Sequence, residues 1–375
     1  MRRRRFLSNA GAVMIVFAGG RVWRARASED PEFGASPAFE PWRTWRADAR
    51  DGPLAMVRAA ILASNAYNTQ PWLFKVTERR IELYADSARH LGAFDPYLRE
   101  LHFSVGCALE NLMVSAARYG YHASLSFPAG RLGTPVARPQ PALAARVDLS
   151  RGVAQPSELY EAIPHRHTNR TPFDVSRAVP QSFQEPLRAL AGDEVDVRLF
   201  VYTADDERER VAAVIFEATQ TVNSDPDVKR DTAPWLRRSM AEVEAHRDGP
   251  FVDASTAANA ATNPGSYVDM MRSARLFGLI AVRDRYDRVQ TLRAGRLWQR
   301  AHLLATARGL AARPTNGAVE LIDREKRLGL DAGAAARLAQ ITGDSSWQPT
   351  FMFYMGYATA AAAASSRRSV KDVLI

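Results

Sequence analysis

The chain writes one apolar helical pattern twice. Between Leu98 and Tyr121, residues Leu101, Val105, Leu109, Leu112, Met113, Ala116 and Ala117 fall at three- and four-residue spacings, and Gly120 marks the end of the stripe. A second stretch, Arg296 to Ala312, reads RLWQRAHLLATARGLAA. Its HLLATARGL matches NLMVSAARY at 111–119: two apolar residues, alternating small ones, then a return of bulk. Each helix must bury its stripe, and stripes this similar predict packing of the same kind.

Shorter elements surround them. The spacing predicts a helix from Pro53 to about Ala66, strands over Leu73–Thr77 and Ile81–Ala85, and strands at ASLSF (123–127) and around Ala145–Leu149. The order then starts again, with a helix at Gln181–Leu190, a strand at Val195–Thr203 and a helix at Glu207–Thr221. Further helices are expected at Pro234–Glu244 and Ala332–Gln340, and a last strand at 350–358, TFMFYMGYA. Residues 223–270 are otherwise poor in pattern, and the stretch from Asp248 to Tyr267 reads as a cover segment. Strands alternating with helices around two long apolar helices give an α+β class. At 375 residues and 46% hydrophobic composition, the chain has material for two or three domain-sized units.

The net charge of +9 is concentrated at the start. Arg2, Arg3, Arg4, Arg5, Arg21, Arg24 and Arg26 account for seven of it, which leaves +2 for everything after residue 27. That remainder is an ordinary solvated surface, and aromatic residues do not interleave with a basic stripe, so nucleic-acid binding is not expected. The first 27 residues run from arginines through the apolar stretch Ala12–Ala18 to Ala25-Arg26-Ala27, the order of a targeting segment. Arg3-Arg4-Arg5-Phe6-Leu7 resembles the core of a twin-arginine export signal. The resemblance implies a periplasmic protein; a basic tail on a cytoplasmic one is the alternative. The apolar stretch is too short to span a bilayer as a helix. Cys107 is the only cysteine, so no internal disulfide is available, and its apolar helical setting reads as core.

Two polar stretches carry the candidate chemistry. Ser64-Asn65-Ala66-Tyr67-Asn68-Thr69-Gln70-Pro71-Trp72 gathers amides after a helix. Asn and Gln each offer an acceptor and a two-proton donor, a match for the edge of a heteroaromatic ring, and also for the hydrogen bonds of a helix-ending turn. At 166–170, Arg166-His167-Thr168-Asn169-Arg170 sets two guanidinium forks around a hydroxyl. This suits a phosphate monoester, and a ligand-free surface turn is the other reading. His165 and His167 lack a third partner nearby, so no metal site is expected. The chain has no Gly-x-Ser-x-Gly elbow, no Gly-rich phosphate loop and no His-Glu-x-x-His.

With both stretches in hand, the chain resembles the nitroreductase family of flavoenzymes, and within it the Acg-like branch of two nitroreductase-like halves fused in one chain. The resemblance covers about residues 50 to 368. It rests on Asn68-x-Gln70-Pro71-Trp72, Arg166-x-Thr168-x-Arg170, the helix around Leu303-Leu304-Ala305, and Trp347 to Tyr357. It implies halves at 28–150 and 151–375 after the export signal (1–27), with a lid near 248–270, so that a monomer acts as a pseudo-dimer. It also implies FMN as cofactor. Arg166, Thr168 and Arg170 match the phosphate grip, and Ser64, Asn65, Asn68 and Gln70 match the turn. Thr315 and Asn316 fall near the flavin ring, and Arg367 or Arg368 near the phosphate. The first half has the turn without a grip, whereas the second has the grip with Ala191-Gly192-Asp193 in place of the turn. One composite site is therefore expected, not two. Flavin N5 would carry the chemistry and no side chain is assigned as catalytic. The implied activity is hydride transfer to a nitroaromatic or quinone-like acceptor from an electron donor the sequence does not identify. The alternatives are non-catalytic FMN sequestration under a covered site, and an interaction protein without flavin.

Overall fold

The computed structural model describes residues 13–17, 21–25, 36–46, 52–192, 195–252 and 265–375. Within the stretch read as an export signal, β1 (Val13–Phe17) and β2 (Arg21–Ala25) pair antiparallel and join neither larger sheet. The rest of that stretch lies outside the described residues, as does 253–264 of the expected cover segment. No helix among the described residues is long and apolar enough to cross a membrane.

After α1 (Glu40–Arg43) and α2 (Leu54–Ala60), the first sheet contains β3 (Trp72–Thr77), β4 (Arg80–Ala85), β5 (Tyr121–Ser126) and β6 (Ala142–Arg151). They are all antiparallel, in the order β3-β4-β6-β5. Helix α3 (Arg99–Arg118) lies between β4 and β5. The chain then passes α4 (Glu158–Ala162) and α5 (Gln181–Ala189) into β7 (Val197–Tyr202). Between β7 and β8 (Leu276–Val282) it inserts α6 (Asp205–Ser224), α7 (Pro226–Thr232), α8 (Met240–His246) and α9 (Gly265–Ser273), where β3 and β4 have only a tight turn. Helix α10 (Arg288–Ala307) follows, then β9 (Ala311–Pro314), α11 (Gly317–Leu328), α12 (Gly333–Thr342) and β10 (Gln348–Gly356). The second sheet is ordered β7-β8-β10-β9. Exchanging β3, β4, β5 and β6 for β7, β8, β9 and β10 turns one order into the other. The chain thus has the expected nitroreductase-like α+β architecture: two duplicated halves form an intramolecular pseudo-dimer.

The two long helices make the joint. Gly106 of α3 lies against the carbonyl of Leu292, Gly295 of α10 lies against the carbonyl of Phe103, and neither leaves room for a Cβ. Phe103 and Leu292 are each the fifth residue of their helix, and Gly106 and Gly295 each the eighth. The contact is reciprocal, as at a two-fold interface between identical subunits. Beside it, Gln299 Nε2 donates to Asn111 Oδ1 at 2.9 Å and Asn111 Nδ2 donates to Ala59 O at 2.8 Å.

Some expectations shift. The first helix ends at Ala60, short of Ala66. The carbonyls of Ala59, Leu62 and Ala63 accept from Asn111, Arg166 and Arg367, so side chains replace the bonds of a further turn. The second long helix begins at Arg288, capped by Asp287 accepting from Gln290 N at 2.9 Å, and the end of the predicted stretch is strand β9. Sequence reading missed β8. Its LFGLIAV is buried at every position, and an apolar run without alternation shows no strand period.

Candidate functional site

The 166–170 stretch runs beside β9: Thr168 bridges Ala312, and Asn169 N donates to Ala312 O at 3.0 Å. This brings Arg166 into the interior at 3% exposure. Its Nη2 donates to Leu62 O at 3.1 Å, its Nη1 sits 3.4 Å from His302 Nδ1, and its Nε has no hydrogen-bond partner. Arg367, equally buried, comes from beyond β10. It donates through Nη1 to Asn68 Oδ1 and Ser365 Oγ, both at 2.7 Å, and through Nη2 to Ala63 O at 3.2 Å. Its Nε is also without a partner.

Neither guanidinium meets a carboxylate among the described residues. Burial lowers the proton affinity of Arg166 to about 10, and burial together with the charge of Arg166 lowers that of Arg367. Between them, burial, Arg166 and Arg367 hold His167 down to about 3, so the ring is neutral. The carbonyls at the end of α2 offset part of this charge. Removing two cations from water without a counter-ion still costs several kcal/mol each. A pair of buried cations like this suits an anion chemically, and two Nε–H donors without partners match phosphate oxygens.

The other expected residues divide. Arg170 is exposed, and its charge acts with those of Arg313, Tyr354 and Tyr67. Thr168 is half-buried on the strand between them. Ser64 Oγ accepts from Trp298 Nε1 at 3.2 Å, Asn65 Oδ1 accepts from Gln70 N at 2.9 Å, and Gln70 Oε1 accepts from Arg368 N at 2.8 Å. Asn68 Nδ2 donates to Ser366 O at 3.0 Å and Gly249 O at 3.2 Å. These amides shape the turn and dock the C-terminal segment, with Arg368 held on Gln70. Thr315 is buried, and Asn316 donates to the Glu100 carboxylate at 3.1 Å while accepting from Met352 N at 2.9 Å.

The turn is strained. Tyr67, Asn68 and Gln70 have φ of 48°, 51° and 50°, left-handed values that cost non-glycine residues about 1–3 kcal/mol each. Its network includes a segment beyond α8. Gln70 Nε2 donates to Arg247 O at 2.8 Å, Gly249 N donates to Asn68 O at 3.2 Å, and the Asp248 carboxylate takes Arg237 at 2.5 Å and also Arg89. Under the turn lies a buried charge cluster. Asp95, Glu100, Glu320 and Asp323 share Arg99 and Arg285, and burial with the charge of Glu100 raises Asp95 to about 7.

Sequence reading missed His167 as anything beyond a metal candidate, and it missed His302, Trp42 and Asp248 altogether. No cluster able to hold a metal occurs among the described residues. The adjacency of His167 to Arg166 was the available signal; partners over a hundred residues away leave none.

No family model matches the chain. A protein named as NAD(P)H nitroreductase Rv3131 from Mycobacterium tuberculosis H37Rv is 27% identical over 301 residues, 77% of this chain and 83% of its own length. Its counterpart MT3217 in strain CDC 1551 aligns with the same figures. Over about three quarters of its length the chain is thus similar in sequence to proteins named as nitroreductases. Among solved structures, the FMN-dependent nitroreductase NfnB from Mycobacterium smegmatis in complex with NADPH aligns at TM-score 0.39 and 16% identity, over 57% of this chain and 96% of its own. A nitroreductase with bound FMN from Desulfitobacterium hafniense aligns at TM-score 0.37 and 12% identity, over 58% and 97%.

In this nitroreductase-like chain the cationic pocket is composite. Arg166 and Arg367 flank the second sheet, while Leu62, Ala63 and Asn68 precede the first. Elsewhere, beside β5 and α10, a cavity of about 480 Å³ is lined by Leu125, Phe127, Arg293 and Arg296. There each arginine has a carboxylate, Asp196 at 2.6 Å for Arg293 and Glu110 at 2.9 Å for Arg296. Arg166 and Arg367, by contrast, are buried and meet no carboxylate among the described residues.

Proposed function

We propose that the protein binds one FMN in a composite site between its halves and acts in the periplasm as a reductase, passing hydride from a nicotinamide donor to a nitroaromatic or quinone-like acceptor. The observation that carries this reading is the buried pair Arg166 and Arg367, which faces no carboxylate and leaves two Nε–H groups for phosphate oxygens. When bound, FMN supplies hydride chemistry at N5. The residues around it bind and orient. Arg166 and Arg367 would hold the phosphate, neutral His167 next to Arg166 would add no charge there, and Arg170 would add a further cation near Tyr67 and Tyr354. The Asn65–Gln70 turn and the Pro314–Asn316 stretch form the walls facing the ring. The relatives' name as NAD(P)H nitroreductases supports the donor.

A second reading, storage of FMN under a closed cover, draws on the Arg247–Gly249 segment, which is bonded to the turn and fixed by Asp248 between Arg89 and Arg237. One cuvette separates the two. The purified protein is scanned in the visible range and then treated anaerobically with NADPH, followed by dithionite. Bleaching by NADPH that a nitroaromatic or quinone reverses supports the reductase. Bleaching by dithionite alone favours storage, and no flavin even after adding FMN contradicts both.

A further inference from the structure

The pocket described above has one wall that comes from neither sheet. Residues 36–46 cross its phosphate end, and Trp42 is the centre of that crossing. Its ring meets His167 edge-on with centroids 4.6 Å apart, and the guanidinium of Arg367 lies 4.8 Å from its centroid. Its Nε1 donates to Ser365 O at 2.8 Å, and Arg367 N donates to Ala38 O at 2.8 Å. The indole thus contacts two of the groups that form the cationic pocket and bonds to the segment that delivers Arg367.

The rest of the segment is pinned at its edges. Trp45 packs on Tyr160 at 4.9 Å, Arg46 donates to Glu161 at 2.6 Å, and Ala38 and Phe39 pack against Val243 of α8. Its regular structure is limited to a 3₁₀ turn and the four residues of α1, so its attachment rests on side chains. A segment held this way opens at lower free energy than the sheets it covers.

We infer that residues 36–46 are a strap over the anion pocket, and that Trp42 sets its specificity by admitting a terminal phosphate monoester and excluding a phosphate that continues into a second group. The inference rests on the FMN reading. A monoester ends at Arg166 and Arg367, whereas the adenylate half of FAD would have to pass through the space of the indole and His167. The same closure makes strap opening a step in cofactor release, because the phosphate cannot leave past Trp42 while its bond to Ser365 holds.

The test uses the purified full chain stripped of flavin, titrated with FMN, FAD and riboflavin by flavin fluorescence, with FMN release followed after a chase. Wild type is expected to prefer FMN over FAD by about 100-fold or more. Trp42→Ala is expected to release FMN at least about tenfold faster and to narrow the preference about tenfold or more. Trp42→Phe keeps a ring but loses the bond to Ser365, so it is expected to speed release while still excluding FAD. It serves alone if the alanine variant does not fold. Release and preference within about twofold of wild type in the folded variants overturn the strap and leave the flavin site standing. Absence of FMN binding in wild type overturns both.

Discussion

Arg166 and Arg367 cap consecutive carbonyls, Leu62 O at 3.1 Å and Ala63 O at 3.2 Å, and so hold two like charges together at the end of one helix. An arrangement that works against folding persists where an anion needs it. Arg166→Met is therefore expected to weaken FMN binding by about 100-fold or more, while the flavin-free protein melts at the same or a higher temperature, since buried charges are often replaced by apolar groups without loss. Titration and thermal melting of the same samples check it. A large loss of stability with unchanged affinity would contradict it.

Acid and base arms of stability follow from different buried groups. Asp95 is raised to about 7 by burial and the charge of Glu100, so the folded state holds its proton where the unfolded chain has lost it. That contribution is present at low pH and disappears as pH rises through 7. His167 and His102 are held at about 3 and about 4, first by burial, so stability is lost as pH falls below the ordinary histidine range near 6.5. The flavin-free protein should be most stable near pH 6–7, with each arm sloping by up to about 1.4 kcal/mol per pH unit per group. Melting curves from pH 5 to 9 measure this. Because Asp95 opposes the histidines between about pH 4 and 7, Asp95→Asn should steepen the rise of stability with pH across that window, and His167→Gln should reduce it.

The joint between the halves makes a symmetric prediction. Gly106→Ala and Gly295→Ala each drive a methyl into the facing carbonyl, and each should cost about 3 kcal/mol or more. Because the two sites share one contact, the double variant should lose less than the two single losses added. Denaturant unfolding of the three variants tests it, and full additivity would mean that the helices adjust independently.

Both long helices were legible from their apolar stripes, although the matched stretches 111–119 and 302–310 lie two residues out of the register that pairs Gly106 with Gly295, and the duplicated order of elements followed in part from strand and helix spacing. The Arg166-x-Thr168-x-Arg170 pattern was legible because alternation along an extended stretch is local. Its partner Arg367 was reached only through the family resemblance, which did not separate it from Arg368. Arg367 reaches Arg166 only through the path of β10 and the C-terminal segment, and Arg170 stays exposed, its charge acting with Arg313 and Tyr67. The turn amides were read as suiting either a ring edge or the bonds of a helix-ending turn, and Asn68 and Gln70 bond to Ser366, Arg367, Arg368, Arg247 and Gly249. No spacing rule reports such distant partners.

Asp248 joins Arg89 and Arg237 in the interior and fixes the Arg247–Gly249 segment on the strained turn. Asp248→Asn leaves two buried guanidinium groups short of a charge and should cost about 3 kcal/mol locally. Hydrogen exchange should quicken at Asn68–Gln70 and at 247–250 while β4 and β8 stay protected. Uniform loss of protection would show that the segment is part of the core.

The central claim is a single composite site, and the stoichiometry of FMN binding tests it most directly. Calorimetric titration of the flavin-free full chain should give one FMN per chain, and Arg166→Met should remove that binding while Arg293→Met, on the opposite side, leaves it intact. Two FMN per chain, or one that survives Arg166→Met and is lost with Arg293→Met, would contradict it.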